Sequence, residues 1–172
     1  MFQQALDDEL AVEGSFGTRS GNRTPMQWDQ GENWGFSTAS ADQLYLPMPT
    51  DKTQPSVAAQ QKHKESLFYR VKALIELRKS EPALGIEADY DILYAKKDQY
   101  PLIFTRKLDK EEILVVLNPS AEKQKVSIGI EASSRPKSLM GGGVKLKAQK
   151  GQTVVECEGR CYQIFKLRNV GI

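Results

Sequence analysis

The chain has 172 residues, 40% of them hydrophobic, enough for one good domain or one domain plus a small appendage. It is too short for a (β/α)8 barrel, which typically takes about 250 residues. Its 24 basic and 22 acidic residues leave a net charge of +2, which excludes a dedicated nucleic-acid or anionic-membrane binder, because no excess of phosphate-neutralising charge exists.

No apolar run is long enough to span a bilayer. Residues 1–8 carry acid instead of a basic stretch and lack an apolar segment, so no signal peptide is visible and the expected location is cytoplasmic. Residues 1 to about 63 read as irregular structure, punctuated by Gly14, Gly17, Gly21, Gly31, Gly35, Pro25, Pro47, Pro49 and Pro55. So long a loop needs a body to lie on. Within it, Asp29 reads as a turn cap or a partner for Arg23, and Asn33 and Gly35 as residues that fix loop conformation. His63, alone and without a nucleophile or carboxylate partner, reads as a solvated histidine.

One helix is predicted over 65–79. Leu67, Val71, Leu74, Ile75 and Arg78 fall at i, i+4, i+7, i+8 and i+11, Phe68 and Leu77 widen the stripe, and Pro82 lies just past the end. From there the pattern changes to strands, predicted at 91–95, 102–107, 113–118, 125–130, 137–140, 144–146, 153–156 and 162–167. The breaks between them are turn-like, among them Gly141-Gly142-Gly143 and Glu158-Gly159-Arg160. Val126, Ile128 and Ile130 alternate with polar or small residues as in a half-buried strand. Ile113-Leu114-Val115-Val116-Leu117 is continuous and suits a strand buried on both faces. The fold class is therefore mainly β, an antiparallel sandwich.

Candidate chemistry is sparse. Cys157 and Cys161 form a C-x3-C pair that reads as two reduced thiols flanking a hairpin turn. A cross-strand disulfide is geometrically open to them but is expected mainly in an oxidising compartment. With His63 they make too few ligands for zinc, so no metal is expected, nor any cofactor. The triple glycine lacks the following helix and Gly-Lys-Ser/Thr that a phosphate cradle requires. Lys137, Lys145, Lys147 and Lys150 read as a solvated sheet face. The acidic pairs Asp7-Asp8 and Glu111-Glu112 lie on polar stretches and are poor candidates for a catalytic carboxyl pair, since neither is obviously desolvated or fixed against a pocket.

The most informative stretch is Arg23-Thr24-Pro25-Met26-Gln27-Trp28-Asp29, followed by Asn33-Trp34-Gly35-Phe36-Ser37-Thr38-Ala39. It resembles the R-T-P-M-Q-W-D…N-x-G-F-S/T segment of the α-amylase superfamily (glycoside hydrolase family 13), most of all α-glucosidases, oligo-1,6-glucosidases and trehalose synthases. Ser66 to Lys79 is similar to the last barrel helix of that family, and the stretch from Pro101 to Ser120 to the first long hairpin of its C-terminal β-sandwich.

The resemblance implies a C-terminal part of an enzyme acting on α-linked gluco-oligosaccharides, by retaining hydrolysis or intramolecular transglycosylation. Residues 1–82 would be a remnant of the (β/α)8 barrel, its last βα loop plus its final helix, and 83–172 the sandwich domain. Family members carry their nucleophile Asp, acid/base Glu and stabilising Asp on the fourth, fifth and seventh barrel strands. None of those strands matches this chain, so no catalytic residue is assigned and the chain alone is expected to be inactive. Arg23 is the one substrate-contact residue the resemblance implies, since its forked guanidinium suits sugar hydroxyls. Read by itself it is a surface or loop-stitching arginine. Trp28, Trp34 and Phe36 would anchor the loop, with Pro25 and Met26, onto the barrel. The alternative reading is a non-catalytic carbohydrate-binding module, with Trp28, Trp34 and Tyr45 as a stacking platform, or a barrel-bracing subunit. On either reading the first 60 or so residues are expected to be mobile, or pinned by self-association through surface meant for the barrel.

Overall fold

The structure, a computed structural model, describes residues 25–46, 48–51, 53–130 and 136–167. The chain divides into two compact units, residues 1–73 and 74–172.

In the first unit, 3-10 turns at Glu32–Gly35 and Ala41–Gln43 precede helix α1, Val57–Lys62. The sequence pattern predicts irregular chain here, and α1 is the difference. Its six residues make fewer than two turns, too few for an apolar period to show. Its start is nonetheless capped. The Ser56 hydroxyl accepts from the Ala59 N–H at 3.3 Å, while the Val57 and Ala58 N–H groups donate to the Gln27 and Trp28 carbonyls at 2.9 Å each. His63 closes α1 as an exposed residue.

Helix α2 runs Leu67–Ser80, one to two residues offset from the predicted span. Its first turn is capped from α1: the Gln60 side-chain carbonyl accepts from the Phe68 N–H at 3.0 Å. Arg78 and Lys79 occupy the last turn, where they suit the helix dipole. The apolar stripe is present but uncovered. Leu67, Val71, Leu74 and Ile75 are between 38% and 67% exposed.

The second unit is mainly antiparallel β, as the strand pattern predicts. A 3-10 turn at Pro82–Leu84 leads into β1 (Asp89–Lys96), β2 (Gln99–Leu108), β3 (Glu111–Asn118), β4 (Gln124–Ile128), β5 (Lys137–Gln149) and β6 (Gln152–Leu167). They form one sheet in the order β1-β2-β3-β6-β4, with β5 also paired to β6. β6 makes this sheet curl. Its first half, from Thr153 to Cys157, pairs with β4, and its second half, from Cys161 to Leu167, with β3. β5 follows it along both halves. Two leaves result, one of β1, β2, β3 and half of β6 and β5, the other of β4 and the remaining halves.

The main core lies between the leaves. Ile103, Leu114, Val116, Phe165 and Leu167 come from one, and Ile128, Val155 and Cys157 from the other. On the outer face of the larger leaf, Ile113, Val115 and Ile164 pack with Ala83, Leu77 and Leu84. β3 thus sends alternate residues into two separate clusters, which is why its sequence is apolar without a break.

Two predicted turns prove to be bulges. Gly141-Gly142-Gly143 lies inside β5, and Glu158-Gly159-Arg160 inside β6, so four predicted strands merge into two. The irregularities face one another: Gly142 pairs with Tyr162 and Val144 with Cys157. Glycine signals a bulge as readily as a turn, and only the partner strand distinguishes them. Gly141 has φ +83°, and a Cβ there would stand 2.1 Å from the Tyr162 carbonyl oxygen.

Candidate functional site

The described part of the loop singled out by its sequence begins at Pro25; Arg23, the expected sugar contact, lies outside the described residues. From there the loop is built around Trp34. This side chain is 1% exposed, and its indole N–H donates to the Pro49 carbonyl at 2.8 Å. Its own carbonyl accepts from the N–H groups of Trp28 (2.9 Å) and Asp29 (3.1 Å), which turns the chain back on itself.

Three successive residues hold left-handed backbone: Asn33 (φ 45°), Trp34 (φ 55°) and Gly35 (φ 68°). Asparagine and glycine tolerate this region, whereas a tryptophan there is strained. The Asn33 amide secures the turn by donating to the Ser37 (3.2 Å) and Ala39 (2.6 Å) carbonyls. Asp29 caps the turn, accepting from the Gly31 N–H at 2.7 Å. Its carboxylate also fills the space beside Gly35, where a Cβ would come within 2.6 Å of Oδ2.

Burial of Trp34 takes it out of any sugar-stacking platform. Trp28, Phe36 and Tyr45 remain exposed, with Met26 beside them in sequence. A shallow depression of about 450 Å³ is lined by Glu32, Gly35, Phe36, Ser37 and Thr38.

The second unit brings together a carboxylate pair that sequence reading missed. Lys166 Nζ donates to Glu81 Oε2 at 2.7 Å and to Glu111 Oε1, and Glu111 Oε2 accepts from the Ala83 N–H at 2.7 Å. Burial alone would raise the Glu111 pKa, but the Lys166 and Ala83 hydrogen bonds outweigh it and the net shift is downward. Hydrogen bonds to Glu111 and Glu81 raise that of Lys166. With an ammonium between them, these carboxylates are tied to each other and brace the Pro82–Leu84 turn. Only the fold could reveal the trio, since its members are 30 and 55 residues apart.

Among the described residues no group of three or more His, Cys, Asp or Glu side chains is placed to hold a metal, and no helix is long and apolar enough to cross a membrane.

Residues 3–86 match the model of the alpha amylase catalytic domain. The match, over just under half of the chain, is to the α-amylase family. Curated relatives agree. The chain is 33% identical over 100 residues to an oligo-1,6-glucosidase of Parageobacillus thermoglucosidasius, covering 58% of this chain and 17% of that protein. It is 33% identical over 125 residues to a glucan 1,6-alpha-glucosidase of Streptococcus pneumoniae, covering 73% and 22%. It is 30% identical over 122 residues to a trehalose synthase/amylase of Mycobacterium tuberculosis, covering 67% and 20%. The chain thus spans about a fifth of the length of these α-amylase-family relatives. Among solved structures, isomaltulose synthase from Erwinia rhapontici NX5 superposes with a TM-score of 0.68 at 25% identity, over 88% of this chain and 26% of that one. The trehalulose synthase of Pseudomonas mesoacidophila MX-45 shares the fold with a TM-score of 0.71, over 94% and 28%.

Proposed function

We propose that this chain is the C-terminal part of an α-glucoside-processing enzyme of the α-amylase family, with residues 1–82 as the last loop and helix of the barrel and 83–172 as the sandwich that braces it. The observation that carries the reading is the uncovered apolar stripe of α2. A helix whose Leu67, Val71, Leu74 and Ile75 share one face has a face made to be covered, and a barrel of the kind its relatives belong to would cover it. The loop from Pro25 to Ala39 would then wall the sugar pocket, held in shape by Trp34, Asn33 and Asp29. Arg23 would hold hydroxyls of an α-linked glucosyl unit.

On this reading the chain alone turns over nothing. Incubation with maltose, isomaltose and a chromogenic α-glucoside should give no release above blank, and turnover would refute it. The positive half is tested by a chimera in which this chain replaces the matching stretch of the oligo-1,6-glucosidase. The chimera should hydrolyse isomaltose, and Arg23→Ala should lower its kcat/KM at least tenfold. A folded chimera indifferent to that change would remove Arg23 from the pocket.

The exposure of Trp28 and Tyr45 favours a second reading, a carbohydrate-binding or bracing module without chemistry of its own. Titration with maltooligosaccharides under tryptophan fluorescence separates the two: saturable binding supports the module, silence the enzyme part.

A further inference from the structure

The bend of β6 contains a pair of thiols that the proposed function does not use. The ladder shows how tight this bend is. Going from Cys157 to Tyr162, β6 advances five residues while its partner β5 advances only from Val144 back to Gly142. Residues 158–160 therefore stand outside the ladders, and Cys157 and Cys161 stand at the two ends of the excursion. Both thiols are free. Both side chains face the same core between the leaves, Cys157 as a buried member and Cys161 packed against it.

The surroundings favour their meeting. Cys161 Sγ turns back toward the start of the loop and lies 3.0 Å from the Glu158 carbonyl oxygen. Gly143 sits across from it, and a Cβ there would come within 3.0 Å of Cys161 Cβ and 3.4 Å of its sulfur, so only glycine leaves the thiol its space. The loop is held from outside by the Asn118 amide, which donates to the Glu158 carbonyl at 2.7 Å, and by the Arg160 N–H, which donates to the Ser120 carbonyl at 2.6 Å. Burial pushes both thiols up; Cys161 raises Cys157 further, while the hydrogen bond with Cys157 lowers Cys161.

We propose that Cys157 and Cys161 form a reversible intramolecular disulfide that clasps the bulge at which β6 passes from one leaf to the other. The oxidant class is a hydroperoxide, and the more exposed Cys161 meets it first. The Cys161 thiolate attacks one peroxide oxygen and the O–O bond breaks. This leaves a sulfenic acid, and the other oxygen departs as water after taking a proton. The Cys157 sulfur then attacks Cys161 Sγ, the S–S bond forms, the S–O bond breaks, and the hydroxyl leaves as a second water with the Cys157 proton. Two thiols lose two electrons in all, and one hydrogen peroxide becomes two waters.

The test uses the purified chain and hydrogen peroxide in small excess, followed by alkylation and mass spectrometry. The expected product is a monomer 2 Da lighter with no alkylated cysteine, restored by dithiothreitol. It should unfold several degrees above the reduced chain, since the clasp removes freedom from the unfolded ensemble. Cys157→Ser and Cys161→Ser should each abolish both the mass change and the thermal shift. Wild-type chain that keeps two alkylatable thiols, gains oxygen at one sulfur, or links only between molecules would overturn the proposal without bearing on the enzyme reading, which rests on other residues.

Discussion

Trp34 donates its indole N–H to the carbonyl of Pro49 at 2.8 Å, fifteen residues along the chain. That bond joins two stretches that share no helix or strand, and the ring itself is fully buried. Trp34→Phe keeps most of the buried area but strands the Pro49 carbonyl, and should cost about 1–2 kcal/mol. Trp34→Ala should cost about 3–5 kcal/mol. Thermal unfolding followed by Trp28 fluorescence checks both, and equal midpoints for the two variants would show that the ring does not anchor the loop.

The Glu81–Lys166–Glu111 trio predicts how stability depends on pH. The depressed Glu111 pKa means that its contribution is complete above the unfolded value, about 4.3, and is lost as pH falls through the folded one. The raised Lys166 pKa means that its contribution is complete below about 10.4 and is lost as pH rises through the folded value. Urea midpoints measured from pH 2 to 12 should therefore fall at both ends. Glu111→Gln should flatten the acid arm and Lys166→Met should flatten the alkaline arm; variants that keep both slopes would remove the trio from the account.

Adjacent glycines should respond unequally to alanine. At Gly141, φ +83° and the Tyr162 carbonyl 2.1 Å from a Cβ leave no room, so Gly141→Ala should destabilise by more than about 1 kcal/mol. Gly142 has open space, and Gly142→Ala should change stability by less than that. Thermal midpoints of the pair decide it, and similar losses at both positions would contradict the bulge geometry.

The sequence was most readable where local chemistry repeats. β3 was legible as doubly buried because Ile113 to Leu117 offers no polar face, and α2 because its stripe recurs over nearly four turns. α1 was not legible, because six residues carry no period and its start is secured by Gln27 and Trp28, thirty positions upstream. The merged strands β5 and β6 were hidden because Gly141 and Gly159 give the same local signal in a bulge as in a hairpin. In the candidate site, the roles of Asn33 and Asp29 in fixing the loop were legible from turn chemistry. Trp34 was legible as a packing residue, but its bond to Pro49 and the partnership of Lys166 with Glu111 were not, because both depend on residues distant in sequence.

The uncovered stripe of α2 supplies a further test. Val71 and Ile75 are 45% and 50% exposed, so Val71→Lys and Ile75→Lys should each change the stability of the isolated chain by less than about 0.5 kcal/mol. If the chain self-associates through this face, the same changes should shift it toward monomer in sedimentation velocity. A large loss of stability in a monomer would show the stripe to be buried already.

β6 participates in three ladders, with β3, β4 and β5, and it follows all of them in chain order. On the ribosome, both leaves must therefore wait for the last strand to emerge before either can close, and β3 must hold an apolar edge unpaired until then. Folding of this unit is consequently completed by its last strand, and its exposure to aggregation is set by how quickly that strand arrives.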